Sequence, residues 1–375
     1  VRWLLTSVNQ DQLISLKNSL PSPPESICIL RLSALGDATH VLPVIRRLQA
    51  HWPDTRLTWI IGKQEHRLLA GLQGVEMLVF DKRGGLSALS ELRNRLSTRK
   101  FDVLLHMQVA ARANLLSRLV RAPIRLGWDR ARSRDFHHWF VNRQVAAKQR
   151  QHQVEGFLEF ANALGVPGGP PVWNLPISEE AKTWARQWLQ PDRTNIVISP
   201  CSSHSLRNWD PARYAVIADY AVENHGARIL LSGGPADPEK QMAGEISALM
   251  RSPCVNLVGK DTLEQSKALL QSADLLISPD SGPVHIANAV GTPVLGLYAA
   301  TWSERSGPFN SLQWCVDEFP QAARSYRNKS ADDLRWGTRI EVPGVMNLVT
   351  VEAVREKLSN WFRQSLRNKP TVTDS

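Results

Sequence analysis

The apolar run SICIL (residues 26–30) leads directly into RLSALGDATHVLP (residues 31–43). The first five residues have the composition of a buried strand, and Val41, Leu42, Val44, Ile45 and Leu48 recur at the spacing of one helix face. A strand, a short polar turn and an amphipathic helix form the opening unit of a parallel α/β sheet. The turn raises a harder question, because it places a carboxylate, Asp37, immediately after Gly36. Such a residue either caps the next helix or stands at the mouth of a site and handles a proton. The turn alone leaves both readings open.

Outward from this unit the same pattern repeats. Residues 56–61, 75–80 and 101–105 read as further short buried strands, with the opening strand predicted over 27–32. GVPGGPPVWNLPISEE (165–180) then breaks the pattern with a Gly/Pro density that marks a domain edge. Strands are predicted again at 195–199, 228–232, 255–258, 275–278 and 294–298. Asp210-Pro211 reads as the cap and first residue of a helix that stops at Gly226, and a last helix is predicted near 351–362. The fold class is therefore α/β, two doubly wound parallel domains with a cleft at the carboxyl ends of their sheets.

A chain of 375 residues exceeds the usual size of one core, which agrees with two domains. Hydrophobic content of 43% and charged content of 21% are those of a globular protein, and no apolar run is long enough to span a bilayer. The first 25 residues read as an extension ending in a Pro/Ser linker rather than a secretory leader, so a cytoplasmic location is expected. Cys28, Cys201, Cys254 and Cys315 are widely spaced without a C-x-x-C pair, and neither a disulfide nor a zinc site is expected. The net charge is +10, and residues 82–150 hold 16 Lys/Arg against 4 Asp/Glu. This basic field fits nucleic acid, an anionic membrane surface, a polyanionic substrate or simply a solvated face. No nucleic-acid-binding motif accompanies it.

The polar turns of the second half concentrate chemistry. SPCSSHSLRNW (199–209) supplies Ser202, Ser203 and then a cation, Arg207; SPDSGPVHIANAVGTPVLGLY (278–298) supplies Asp280, Ser281, Gly282 and His285. A strand running into Ser-Gly and a helix N-terminus is an anion cradle, with uncapped N–H groups and close backbone approach at glycine. The hydroxyls can donate to phosphate, and Arg207 can neutralise a departing diphosphate. Taken singly, Ser202 and Asp280 also read as helix caps and Gly282 as a packed turn. No Asp-x-Asp triplet or metal-ligand spacing is present, so no metal cofactor is expected.

Together RLSALGDATHVLP, RLGWDRARSRDF (125–136), SPCSSHSLRNWDPARY (199–214), PDSGPVHIANAVGTPVLGLYAAT (279–301) and ERSGP (304–308) resemble the ADP-heptose:lipopolysaccharide heptosyltransferases, most closely those that add the first heptose to Kdo. The resemblance extends over residues 26–362. It implies a GT-B fold of a Rossmann-like acceptor domain (26–175), an ADP-heptose-binding Rossmann-like domain (176–348) and a helix packing back on the first domain (349–366), while the N-terminal extension (1–25) and a tail (367–375) stand outside it. It implies metal-independent, inverting transfer from ADP-L-glycero-β-D-manno-heptose to a Kdo-lipid A acceptor at the cytoplasmic face of the inner membrane, by peripheral contact with its anionic surface. Asp37 matches the catalytic base, and Ser202, Ser203, Arg207, Asp280, Ser281, Gly282 and His285 match the donor site. Asp237, in GGPADPEK (233–240), is a weaker candidate for a donor-holding carboxylate. Lys82, Arg83, Arg125, Arg130 and Arg132 are the candidate contacts to the anionic acceptor. Residues 317–347 read as a surface insertion or a rim of the acceptor site. The alternatives are a GT-B transferase for a later core heptose or another nucleotide sugar, and a non-catalytic protein that binds anionic glycolipid.

Overall fold

The structure, a computed structural model, describes residues 22–368; most of the N-terminal extension and of the tail lie outside the described residues. The described chain divides into two compact units between Pro176 and Ile177.

The first unit is built on a six-stranded parallel sheet of β1 (Ser26–Leu30), β2 (Arg56–Gly62), β3 (Val75–Phe80), β4 (Val103–His106), β5 (Ile124–Gly127) and β6 (Arg143–Gln144), in the order β3-β2-β1-β4-β5-β6. Ile27 is in register with both Leu57 and Val103, which fixes β1 at the centre. The second unit repeats this order. Its strands are β7 (Asn195–Ile198), β8 (Arg228–Leu231), β9 (Cys254–Asn256), β10 (Leu275–Pro279), β11 (Val294–Tyr298) and β12 (Val316–Asp317), arranged β12-β11-β10-β7-β8-β9. In both sheets the strand order reverses between the first and fourth strands. Turns leaving those two strands diverge to opposite faces, and ligands of such sheets bind in the crevice between them.

Strands buried on both faces read as continuous apolar runs, which is why the predicted strands lie within a residue or two of the observed ones. β5, β6 and β12 were not expected. They are short outer strands with interleaved polar residues, and no apolar run announces them.

The helix Pro211–His225 begins as its sequence indicates: the Asp210 carboxylate accepts from the Ala212 N–H at 2.8 Å, and Gly226 closes the helix in a left-handed conformation at φ 63°. The last helix, Val351–Asn368, buries Val354, Leu358, Trp361 and Phe362 in the core of the second unit, where Phe362 stacks on His225 at 3.9 Å and Ser359 hydrogen-bonds Tyr220. The surface-insertion reading of residues 317–347 is corrected. Ile340 and Val345, with Val349 just beyond, are fully buried in the same core. Trp209 Nε1 donates to the Val349 carbonyl at 2.8 Å, which ties the segment to the turn after β7.

Leu358→Ala removes a fully buried side chain, so it should destabilise the second unit by about 2–5 kcal/mol in a urea titration. A change under about 0.5 kcal/mol, typical of a surface position, would overturn this packing.

Candidate active site

Asp37 follows β1, at the point where the first sheet's order reverses. It lies in the first turn of a short helix, Leu35–Thr39, whose cap position is Ala34 and which has no side-chain cap. The capping reading therefore fails. One carboxylate oxygen of Asp37 is ion-paired with Arg31, and the side chain retains 29% exposure. Arg31 is itself fixed: Nη1 donates to the Met107 carbonyl at 2.8 Å, and the guanidinium lies over the Phe157 ring. Gln108 closes the same junction by accepting from the Leu32 N–H at 2.6 Å and donating to Ser33 Oγ at 3.0 Å. The turns after β1 and β4 are thus laced together, and among the described residues the second oxygen of Asp37 has no hydrogen-bond or ion-pair partner. Sequence reasoning did not single out Arg31 or Gln108, because nothing local distinguishes an arginine at the end of a strand.

In the second unit the turns after β7 and β10 occupy the equivalent reversal point. Arg207 bridges them. Its Nη1 donates to Asp280 at 3.0 Å, while Nε and Nη2 donate to one oxygen of Glu341 at 2.8 and 2.6 Å. The three side chains are 11–18% exposed. Asp280 is therefore an arginine partner and not a cap. Ser202 does not cap the following helix, since Asp210 does; the Ser202 N–H donates to Asn208 at 2.7 Å. Ser203 is exposed beside it.

Ser281 stands at the cap position of the helix Gly282–Val290, but its hydroxyl turns back to Ser278 Oγ at 2.8 Å. The first-turn N–H groups thus have no side-chain cap, which leaves the positive end of the helix for an anion. A Cβ built on Gly282 would meet no atom within 4 Å, so this glycine is not a packing requirement. His285 is buried in the same first turn.

Asp237 is exposed at the first position of the helix Asp237–Leu249. The carboxylate that reaches back to the glycine turn after β8 is Glu239, which accepts from the Gly234 N–H at 2.6 Å. A Cβ on Gly233 or Gly234 would fall within 3 Å of the Glu239 carboxylate, so a side chain at either position would displace it. Asp261, after β9, is held nearby: burial pushes its carboxyl up to about 6, with the charge of Glu239 adding to the shift. Sequence reasoning missed Glu239, Asp261 and Glu341. The one available signal was for Glu239, at the third helical position, where a carboxylate commonly folds back on the preceding turn.

The candidate acceptor contacts separate into two groups. Lys82 and Arg83 are exposed after β3, with Lys82 Nζ 3.7 Å from the buried Glu65. Arg130 is also exposed. Arg125 and Arg132 are not offered to a ligand. Arg125 donates to the carbonyls of Phe140, Val120 and Ser117 at 2.7–2.9 Å, stapling β5 to its neighbours. Arg132 pairs with Asp129, donates to the Ala146 carbonyl at 2.7 Å and covers Trp128. Beneath this segment, Asn114 Oδ1 accepts from His106 at 2.9 Å and from His137 at 3.0 Å, while His137 Nε2 accepts from the Trp128 N–H. Both imidazoles are fully buried and held neutral. Burial, then the neighbouring His138, lowers His137 to about 4, and burial pushes His106 down as well.

Two successive doubly wound sheets, each with polar turns at its reversal point, are the architecture of the GT-B class. The model of glycosyltransferase family 9 (heptosyltransferase) matches residues 89–333. The chain is 38% identical over 331 residues to the lipopolysaccharide core heptosyltransferase OpsX of Haemophilus influenzae, covering 88% of this chain and 95% of that protein. The chain belongs to glycosyltransferase family 9, the heptosyltransferases. The fold is that of the family 9 glycosyl transferase of Veillonella parvula (TM-score 0.76, 20% identity, 92% of this chain and 99% of that one). It is also that of Escherichia coli heptosyltransferase WaaC, solved with ADP (TM-score 0.68, 19% identity, 90% and 99%).

Gly282→Ala should leave thermal stability unchanged, because the added methyl enters open space, yet weaken ADP binding in calorimetry at least tenfold. Unaltered affinity would remove Gly282 from the cradle. Acid should unfold the first unit through its histidines. Their folded pKa values lie below the unfolded value of about 6.5, so the stability they contribute is complete above pH 6.5 and falls towards pH 4, by about 1.4 kcal/mol per pH unit for each imidazole. Urea midpoints at pH 7 and pH 5 measure this, and a smaller difference in His137→Gln assigns it.

Proposed function

We propose that the protein transfers heptose from ADP-L-glycero-β-D-manno-heptose to Kdo of a lipid A–Kdo acceptor, in building the inner core of lipopolysaccharide at the cytoplasmic face of the inner membrane. The likeness to a lipopolysaccharide core heptosyltransferase supports the substrate class, and the ADP-bound relative supports the nucleotide. The observation that carries the chemistry is Asp37: a partly exposed carboxylate with no capping duty, one oxygen fixed by Arg31 and the other without a partner.

The acceptor hydroxyl oxygen bonds to the anomeric carbon of the heptose as the bond from that carbon to the diphosphate oxygen breaks, inverting the configuration. The hydroxyl proton passes to the second oxygen of Asp37. The departing charge remains on ADP, where the Gly282 N–H at the helix start, the hydroxyls of Ser202 and Ser203, and Arg207 oppose it without a metal ion. Glu239 serves as the donor-holding carboxylate of its turn. Lys82, Arg83 and Arg130 remain for the anionic acceptor.

Mass spectrometry of the product formed from ADP-heptose and Kdo-lipid A, with and without chelator, tests the reaction. One added heptose in both conditions is expected. Asp37→Ala should lower kcat by about 100- to 10,000-fold while leaving the dissociation constant for ADP within a factor of three. Near-normal turnover in that variant would overturn the base assignment.

A further inference from the structure

The turn Asp135–Phe140 and the helix Ala111–Ser117 display an apolar surface with no role in the reaction above. Phe136 and Trp139 are 62% and 63% exposed and stacked on one another, with ring centroids 4.7 Å apart. Leu115 is 67% exposed. The two elements are bound side by side. The Ala111 N–H donates to the Asp135 carboxylate at 3.1 Å, Asn114 donates to the Asp135 carbonyl at 2.7 Å, and Arg118 lies over Phe140 with its Nη2 3.4 Å from the Trp139 carbonyl. Residues 111, 115 and 118 share one side of a helix, so Leu115 sits between two contacts to the turn and extends the aromatic pair.

Holding these rings in water is costly. Asp135 and Phe136 are consecutive left-handed residues, at φ 51° and 58°, a conformation that bulky side chains rarely adopt. The buried His106–Asn114–His137 bracket fixes that conformation from below. The exposed charge in this stretch of chain is almost all of one sign. Arg112, Arg118, Arg121, Arg130 and Arg134 are exposed between residues 111 and 139, and the one exposed acid there, Asp135, is turned to the Ala111 N–H.

The geometry points to a docking surface for an anionic lipid bilayer, with Leu115, Phe136 and Trp139 seated at the headgroup level and the arginines on the lipid phosphates. Aromatic rings favour that interface, and each basic residue near an anionic surface adds attraction that salt screens. Among the described residues no helix is long and apolar enough to cross a membrane, so this attachment is interfacial. A second copy of the chain fits less well, since a two-fold contact through this patch would set the same arginines against each other. The surface locates the membrane contact and rests on the glycolipid-acceptor reading only for the choice of an anionic lipid.

Sedimentation of the full chain with acceptor-free vesicles tests it. Binding is expected to vesicles of phosphatidylglycerol and phosphatidylcholine and not to phosphatidylcholine alone, and to weaken in 0.5 M salt. Phe136→Asn with Trp139→Gln should lower the partition at least tenfold; asparagine tolerates the left-handed conformation. Leu115→Glu, at an exposed helix position, provides a second variant with little effect on folding. Wild-type partition in these variants overturns the proposal. So does a patch-dependent dimer in light scattering, or patch-dependent binding of a single-stranded oligonucleotide without vesicle binding. Turnover of a water-soluble Kdo acceptor separates the two readings: its absence with intact vesicle binding rejects the transferase assignment alone, and its presence in all variants with unchanged partition rejects the surface alone.

Discussion

The guanidinium of Arg207 is shared by Asp280 and Glu341, and the donor side of the molecule depends on that arrangement. It joins three stretches of chain far apart in sequence: the turn after β7, the turn after β10 and the segment before the last helix. Two carboxylates share one guanidinium in a largely desolvated pocket, with His204 Nε2 3.7 Å from the second oxygen of Glu341. In the proposed reaction an incoming diphosphate would meet a cation already partly neutralised. Three of the five guanidinium N–H groups are engaged and two remain to be offered. On that reading the uncapped helix at Gly282, whose dipole and N–H groups carry no counter-charge of their own, shares in holding the anion. Arg207 is as much the keystone of the site as its counter-ion.

The first unit uses the same device in a different proportion. Arg31 pairs with a single carboxylate, Asp37, and its other contacts are a carbonyl and an aromatic ring. One carboxylate oxygen is thereby aimed while the other stays open. A carboxylate that accepts a proton during bond formation needs an oxygen within reach of the acceptor hydroxyl, and a single ion pair to Arg31 leaves one oxygen for that purpose. The relation of Arg31 to Asp37 is one of orientation, as Gln108 orients the turn that carries them both.

Legibility followed physical range. The central strands were readable because burial on both faces forces continuous apolar runs, and Asp210 and Gly226 because capping and left-handed closure are local requirements. The turns at Asp37 and at 280–282 could be singled out because ligands of doubly wound sheets bind at the reversal point of the strand order. Glu239 was passed over for Asp237, although the carboxylate that faces back to the glycine turn lies two residues further on. Arg125 and Arg132 were misread for a different reason. A count of charges does not distinguish a guanidinium facing solvent from one stapling carbonyls, and that difference is settled by strands β5 and β6, which the sequence scarcely marks. Glu341 lies 134 residues from its partner, beyond any local pattern.

Local rules are broken where the fold has another demand to meet, and the turn after β5 breaks several at once. It holds two consecutive left-handed residues without glycine, buries His137 against the asparagine that also binds His106, and leaves Phe136 and Trp139 in water beside Leu115 of the neighbouring helix. The left-handed backbone and the exposed rings do not lower the free energy of the isolated chain. A turn closed by glycine, with polar residues at 136 and 139, would fold at smaller cost. The Asn114 bracket makes sense as a rigid mount: Oδ1 accepts from both rings while Nδ2 donates to the Asp135 carbonyl, so every part of the amide sets the direction in which Phe136 leaves the surface. A mount of this kind has value only when what it carries engages something outside the chain.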